Sequence, residues 1–260
     1  MQDKINGSAP VRAVPQQRII EKMDEYMSRR DYDGAERHLL YWLEEARLGR
    51  DLRGQLLLRN ELIGHYRKTG QRDRAFESAD DALALLGTLG FEGSISAGTT
   101  YVNCATMYGA FGDHARALAL FKKARACYEA SPATEPQLLG GLYNNMALTC
   151  VALRRFDEAR ALYGLAMDRM AEAPNGALEQ AITCLNMANA AEDELGMEAA
   201  EGRVFDLLDR ASELLAAPEL PHDGYYAFVC EKCAPTFEYY GYFADAERLK
   251  EEARAIYERP

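Results

Sequence analysis

The chain has 260 residues, 48% of them hydrophobic and 27% charged, with a formal net charge of −11. That mix belongs to folded material rather than to a disordered polyelectrolyte. The acidic excess argues against nucleic acid as partner, since phosphate binding needs a basic surface, and no run reaches the roughly 18 apolar residues of a membrane span.

Residues 1–15 are polar, contain Pro10 and Pro15, and show no apolar core of the kind a signal peptide carries. They are expected to form a flexible N-terminal tail. The six cysteines, Cys104, Cys127, Cys150, Cys184, Cys230 and Cys233, all sit among apolar neighbours in helical patterns. There a thiol behaves as a small hydrophobe, and a disulfide framework would be denser and placed in loops. The expected setting is a reducing, cytoplasmic one.

From residue 16 onward the pattern is a succession of helical hairpins. Ile19, Ile20, Met23, Tyr26 and Met27 recur at helical spacing. A polar turn at Arg29–Gly34 follows, and then Ala35, Leu39, Leu40, Trp42 and Leu43. Asp33, with Glu36 three residues on, reads as a capping box for the second helix. The next hairpin carries Leu58, Leu62 and Tyr66, stops at Gly70, and resumes with Ala75, Ala79, Ala82 and Leu83. The third has Tyr101, Cys104, Ala105 and Tyr108, Gly112–Asp113 at the turn, then Ala117, Phe121 and Ala124. The fourth has Tyr143, Met146, Ala147 and Cys150, then Ala159, Tyr163 and Ala166. The fifth diverges, with Cys184, Met187, Ala188 and Ala191 before Leu195–Gly196, then Ala200, Val204, Leu207 and Leu208. The sixth has Cys230, Cys233, Ala234 and Phe237, a Gly241 turn, and Ala246, Leu249 and Ala253 under a charged outer face that suits a terminal cap. Pro235, inside its first helix, is expected to kink it.

The alanines that open the second helices, Ala35, Ala75, Ala117, Ala159, Ala200 and Ala246, follow one another at steps of 40, 42, 42, 41 and 46 residues. A nearly constant step marks a stacked repeat architecture rather than an ordinary bundle. The expectation is an all-α solenoid of about six hairpins running from 16 to 260 as a single domain, with repeats near 16–50, 54–90, 94–132, 136–174, 177–217 and 222–260.

The series Tyr101, Cys104-Ala105, Tyr108, Gly112, Ala117, Phe121, Ala124 resembles a tetratricopeptide repeat, and so does Tyr143, Met146-Ala147, Cys150, Ala159, Tyr163, Ala166. The minimal family unit is about 34 residues. These longer units, with paired asparagines as at Asn144-Asn145, are similar to the extended repeats of kinesin light chains and of many bacterial proteins. The resemblance implies a right-handed α-α superhelix whose first helices line a concave groove, with the signature positions serving packing rather than chemistry.

On that resemblance the groove side carries Asn60, Glu61, Gly64 and Arg67 in the second repeat, and Val102, Asn103 and Thr106 in the third. It carries Asn144, Asn145 and Leu148 in the fourth, Asn186, Asn189 and Asp193 in the fifth, and Glu231, Lys232 and Pro235 in the sixth. Asparagine thus recurs at one repeat position, as Asn103, Asn145 and Asn186. An amide offers donors and an acceptor together, which suits an extended peptide backbone. The candidate partner-binding residues are Asn60, Glu61, Arg67, Asn103, Asn144, Asn145, Asn186 and Asn189. Repeats that clamp acidic chaperone tails use cations where this chain has Thr99 and Gly141, so that specialisation is not expected.

Cys230-Glu-Lys-Cys233 is a CxxC, but both cysteines fall on packing positions and lack the further ligands zinc needs. His38, His65, His114 and His222 share no ligand-like spacing and are expected at the surface or in loops. No phosphate loop, HExxH motif or nucleophile elbow is present, so no catalytic residues, metal or cofactor are expected. The expected function is a scaffold that holds a peptide or protein segment in its groove. A peptide-responsive sensor acting with a separate effector is the alternative, and a homodimer through an exposed end stays open.

Overall fold

The computed structural model describes residues 12–259. Among them the secondary structure is twelve helices and no strand. They are α1 (Gln16–Ser28), α2 (Tyr32–Leu48), α3 (Leu52–Lys68), α4 (Arg72–Leu89), α5 (Ile95–Ala110) and α6 (His114–Glu129), then α7 (Pro136–Ala152), α8 (Phe156–Ala171), α9 (Gly176–Leu195), α10 (Met197–Leu215), α11 (Gly224–Tyr239) and α12 (Phe243–Tyr257). Paired in order they make the six expected hairpins. The chain divides into two compact units, residues 1–132 and 133–260, with three hairpins in each.

Each hairpin turns on one residue of positive φ: Arg30, Gly70, Gly112, Arg154, Gly196 and Gly241, with φ between 56° and 85°. In five of the six the next N–H reaches back to close the helix. Asp31 N donates to Tyr26 O (3.0 Å), Gln71 N to Tyr66 O (2.9 Å), Asp113 N to Tyr108 O (2.9 Å), Arg155 N to Cys150 O (2.8 Å) and Tyr242 N to Phe237 O (2.8 Å). This is a Schellman closure, which satisfies carbonyls that the helix end leaves orphaned. The residue that closes one helix then caps the next. Asp31 accepts from Gly34 N at 2.8 Å and Asp113 from Arg116 N at 3.0 Å. The cap of α2 is therefore Asp31, not Asp33 as the capping-box pattern suggested; Asp33 already lies inside the first turn. The fifth hairpin departs from the rule, because Gly196 alone separates α9 from α10.

The period-setting alanines are all buried. Their missing bulk lets the second helix of each hairpin approach the first. In the first unit α3 packs on α4 and α5 on α6, and α3 also lies against α5. Leu58, Leu62 and Tyr66 from α3 and Tyr101, Cys104 and Tyr108 from α5 fill the space, all below a tenth exposed. In the second unit α7 lies against α9 and α9 against α11, around Leu178, Ile182, Val204, Leu208, Val229 and Phe237. All six cysteines are buried in these cores, and α11 runs on through Pro235 to Tyr239.

Two further sequence expectations change. Of the tail expected over 1–15, residues 1–11 lie outside the described residues, whereas 12–15 are held in place. Val14 is buried, its N–H donates to Asp51 Oδ2 at 2.9 Å, and Arg12 N donates to Gly49 O at 3.2 Å. Asp51 also caps α3 through Gly54 N at 2.9 Å, so one carboxylate secures both segments. His65, expected at the surface, is buried at 3% exposure on the packing side of α3. Its neighbours on that side, Leu58 and Leu62, are core residues too, so the helix period carries the imidazole inward.

Candidate functional site

Because α3 and α5 run side by side, residues three and four apart on each helix face the same hollow. Arg53, Leu56, Leu57, Asn60 and Glu61 on α3 face Ser96, Thr99, Thr100 and Asn103 on α5, with Gln16 of α1 and Phe91 at the margins. They line an open cavity of about 510 Å3 in the first unit, within the size range of small-molecule sites.

The floor of this cavity is a hydrogen-bonded strip. Asn103 Nδ2 donates to Asn60 Oδ1 at 3.0 Å, and Asn60 Nδ2 donates to Leu56 O at 3.0 Å and Thr100 Oγ1 at 3.1 Å. Asn60 thus has both amide hydrogens engaged. Asn103 retains one N–H and its carbonyl oxygen for a ligand. Thr99 shares a 3.0 Å hydrogen bond with the Tyr128 hydroxyl of α6, which fixes that wall. Tyr128 in turn fits against Gly98, where a Cβ would lie 2.4 Å from Tyr128 Cε1.

The asparagines are therefore not a row of three equivalent free amides. The same one-position offset recurs in the second unit, where Asn186 Nδ2 donates to Asn144 Oδ1 at 3.1 Å. Asn144 is buried at 8% exposure, which leaves little of it for a partner. Asn145 is half-buried, and among the described residues its side-chain amide has no hydrogen-bond partner. Asn189 is exposed and accepts from the Tyr240 hydroxyl at 3.0 Å. Arg67 is exposed in the last turn of α3, away from the cavity lining. Of the residues expected to bind, Asn60, Glu61 and Asn103 come together in one cavity.

The cavity is electrically polar. Arg53 lies over the Phe91 ring at 5.2 Å. Glu61, eight positions along α3, stands about 12 Å further along the axis at 1.5 Å per residue. Burial pushes the Glu61 carboxyl above the ordinary range, and the neighbouring Asp24 charge adds to that. Sequence reasoning missed Arg53, Ser96 and Thr100. Their spacing from Asn60 and Asn103, at steps of three and seven, was the available signal.

Residues 55–130 match the family model described as Tetratricopeptide repeat, the segment that holds most of this cavity. Among solved structures the fold resembles a putative kinesin light chain from Podosopora anserina with nearly identical TPR-like repeats. That match has 18% sequence identity and a TM-score of 0.53, covering 78% of this chain and 94% of the other. It also resembles BtubC (BKLC) from P. vanneervenii, with 17% identity and a TM-score of 0.52, covering 94% of this chain and 91% of that one. No curated protein sequence matches. Residues 55–130 thus match tetratricopeptide repeats, and the fold of the chain is a helical-hairpin solenoid similar to kinesin-light-chain-like structures. Repeats of this type generally mediate protein–protein interaction.

Proposed function

We propose that this protein is a non-enzymatic scaffold, cytoplasmic in setting, which holds an extended peptide segment in the cavity between α3 and α5. The observation that carries the reading is the half-engaged Asn103 amide, with a free donor and acceptor facing a 510 Å3 space floored by polar groups. A peptide backbone presents the complementary acceptor and donor at every residue, and the fixed Asn60–Asn103 strip holds the amide ready without reorganisation.

The test is selection of displayed random peptides on the full chain, followed by calorimetric titration of the enriched peptides. Asn103→Ala should weaken them about tenfold, the worth of one well-placed hydrogen bond in a desolvated site. Leu165→Ser on exposed α8 should leave them unchanged. Enriched peptides indifferent to Asn103→Ala would place binding elsewhere and overturn the reading.

A further inference from the structure

Carboxylates taken partly out of water are costly unless a donor or cation answers them. Among the described residues, every buried or half-buried carboxylate but one has such a partner in the structure. In the first unit Glu36 meets Arg74, Glu45 meets Arg12, Asp81 meets Arg59, and Asp51 and Asp113 accept backbone N–H groups. In the second unit tyrosine hydroxyls reach Glu179, Glu192 and Glu252, Arg160 reaches Glu194, and Ser212 reaches Asp245. Glu61 is the exception. No hydrogen bond or ion pair engages it among the described residues, its charged neighbour Asp24 is of like sign, and it opens into the cavity. Arg53, the cavity's own cation, stands too far along α3 to neutralise it.

We propose that this cavity recognises a peptide through a lysine or arginine side chain, whose cation pairs with Glu61 while the adjoining backbone lies against Asn103. The inference rests on the groove-binding reading above and adds the chemistry of the bound segment. The uncompensated carboxylate is a cost in the free protein that an incoming cation removes, a polarity set for binding rather than for folding. The net charge of −11 also speeds encounter with a basic segment. A peptide fits better than a free amine because Asn103 offers a paired donor and acceptor, which an amide satisfies and a polyamine does not.

The peptides enriched on the full chain decide the matter. They should share a lysine or arginine, and Glu61→Gln should weaken them about 10- to 100-fold, as for a charge-assisted bond. Changing the peptide's base to glutamine should weaken binding to the wild type by the same factor and make no difference to Glu61→Gln. The same variant should melt at or above the wild-type temperature, since it relieves the unanswered charge, and this separates lost binding from lost folding. Binding that falls with Asn103→Ala but ignores Glu61→Gln would overturn the cation pairing and leave the groove reading standing. Absence of any Asn103-dependent peptide would overturn both. Displacement of the peptides by spermine at equal affinity, dependent on Glu61, would overturn the peptide assignment in favour of a free amine.

Discussion

Gly98 and Gly140 occupy the same place in successive first helices, 42 residues apart, and each lies under a side chain from the second helix of its own hairpin. Gly98 in α5 faces Tyr128, and Gly140 in α7 faces Met170; Tyr128 and Met170 are themselves 42 residues apart. A Cβ on Gly98 would sit 2.4 Å from Tyr128 Cε1 and 2.6 Å from Cδ1, and one on Gly140 would sit 2.7 Å from Met170 Cε and 2.8 Å from Sδ. A comfortable carbon contact is about 3.5–4.0 Å, so either partner has to retreat by about 1 Å. The responses differ. The Tyr128 ring is rigid, is 2% exposed and is tied by its hydroxyl to Thr99, whereas the Met170 thioether turns about three bonds. Overpacking of a rigid core costs about 1–3 kcal/mol, and alanine in place of glycine in a helix returns about 0.5–1 kcal/mol. By difference Gly98→Ala should destabilise by up to about 2.5 kcal/mol, and Gly140→Ala, where the thioether yields and the overpacking cost falls to about the size of the helix gain, should lie within about 0.5 kcal/mol of neutral. Urea unfolding followed by Trp42 fluorescence reports the first unit, and far-UV circular dichroism the whole chain. In the Gly98→Ala background, Tyr128→Met should show a favourable coupling of about 1 kcal/mol in a double-mutant cycle, because it recreates the Gly140 arrangement. A larger loss from Gly140→Ala than from Gly98→Ala would refute the reasoning.

Two further perturbations follow from buried or strained positions. Both ring nitrogens of His65 are buried without a hydrogen-bond partner, and Glu36 Oε2, at 3.7 Å from Nε2, is beyond hydrogen-bond reach. Burial accordingly holds the imidazole below its ordinary value, outweighing the attraction of Glu36 and Asp33, with Arg74 pushing the same way as burial. A base depressed in the fold binds more protons when unfolded. The stability it permits is therefore full above the unfolded value near 6.5 and falls as pH drops below it. His65→Leu should flatten stability between pH 7.5 and 5 and leave it equal or about 1 kcal/mol higher at neutral pH; urea midpoints at both ends check this, and an unchanged pH slope would count against it. Arg30 holds φ at 56° where four of the other hairpin turns use glycine, and it makes no ion pair among the described residues. Arg30→Gly should stabilise by about 0.5–1 kcal/mol, the left-handed penalty less glycine's extra entropy, seen as a melting temperature about 2–4 °C higher. A fall would show that the arginine side chain contributes packing there.

Helix number, hairpin pairing and the repeat step were legible in the sequence because each depends on local chemistry. A helix is signalled by its own period, and its end by the residue that tolerates a left-handed turn. The alanine series worked for a related reason: a buried close approach admits only a small side chain wherever it recurs. The left-handed backbone of Arg30 and Arg154 leaves no mark in the sequence, since arginine gives no local sign of a positive φ. Asp33 was preferred to Asp31 as a cap because the capping box is a pattern of spacing, and the Schellman closure that selects Asp31 depends on where the preceding helix stops.

The candidate site divides along the same line. Repeat position alone brought Asn60, Glu61 and Asn103 to the inner side of their helices, because a helical face follows from arithmetic. Which amides remain available was decided by tertiary structure. Asn103 reaches Asn60 and Asn186 reaches Asn144 across a helix–helix distance that no single helix contains, and those bonds separate the half-free amides from the occupied ones. The isolation of Glu61 was likewise invisible in a chain with 41 acidic and 30 basic residues. Composition counts charges, but only the packed fold decides which of them stand within reach of one another.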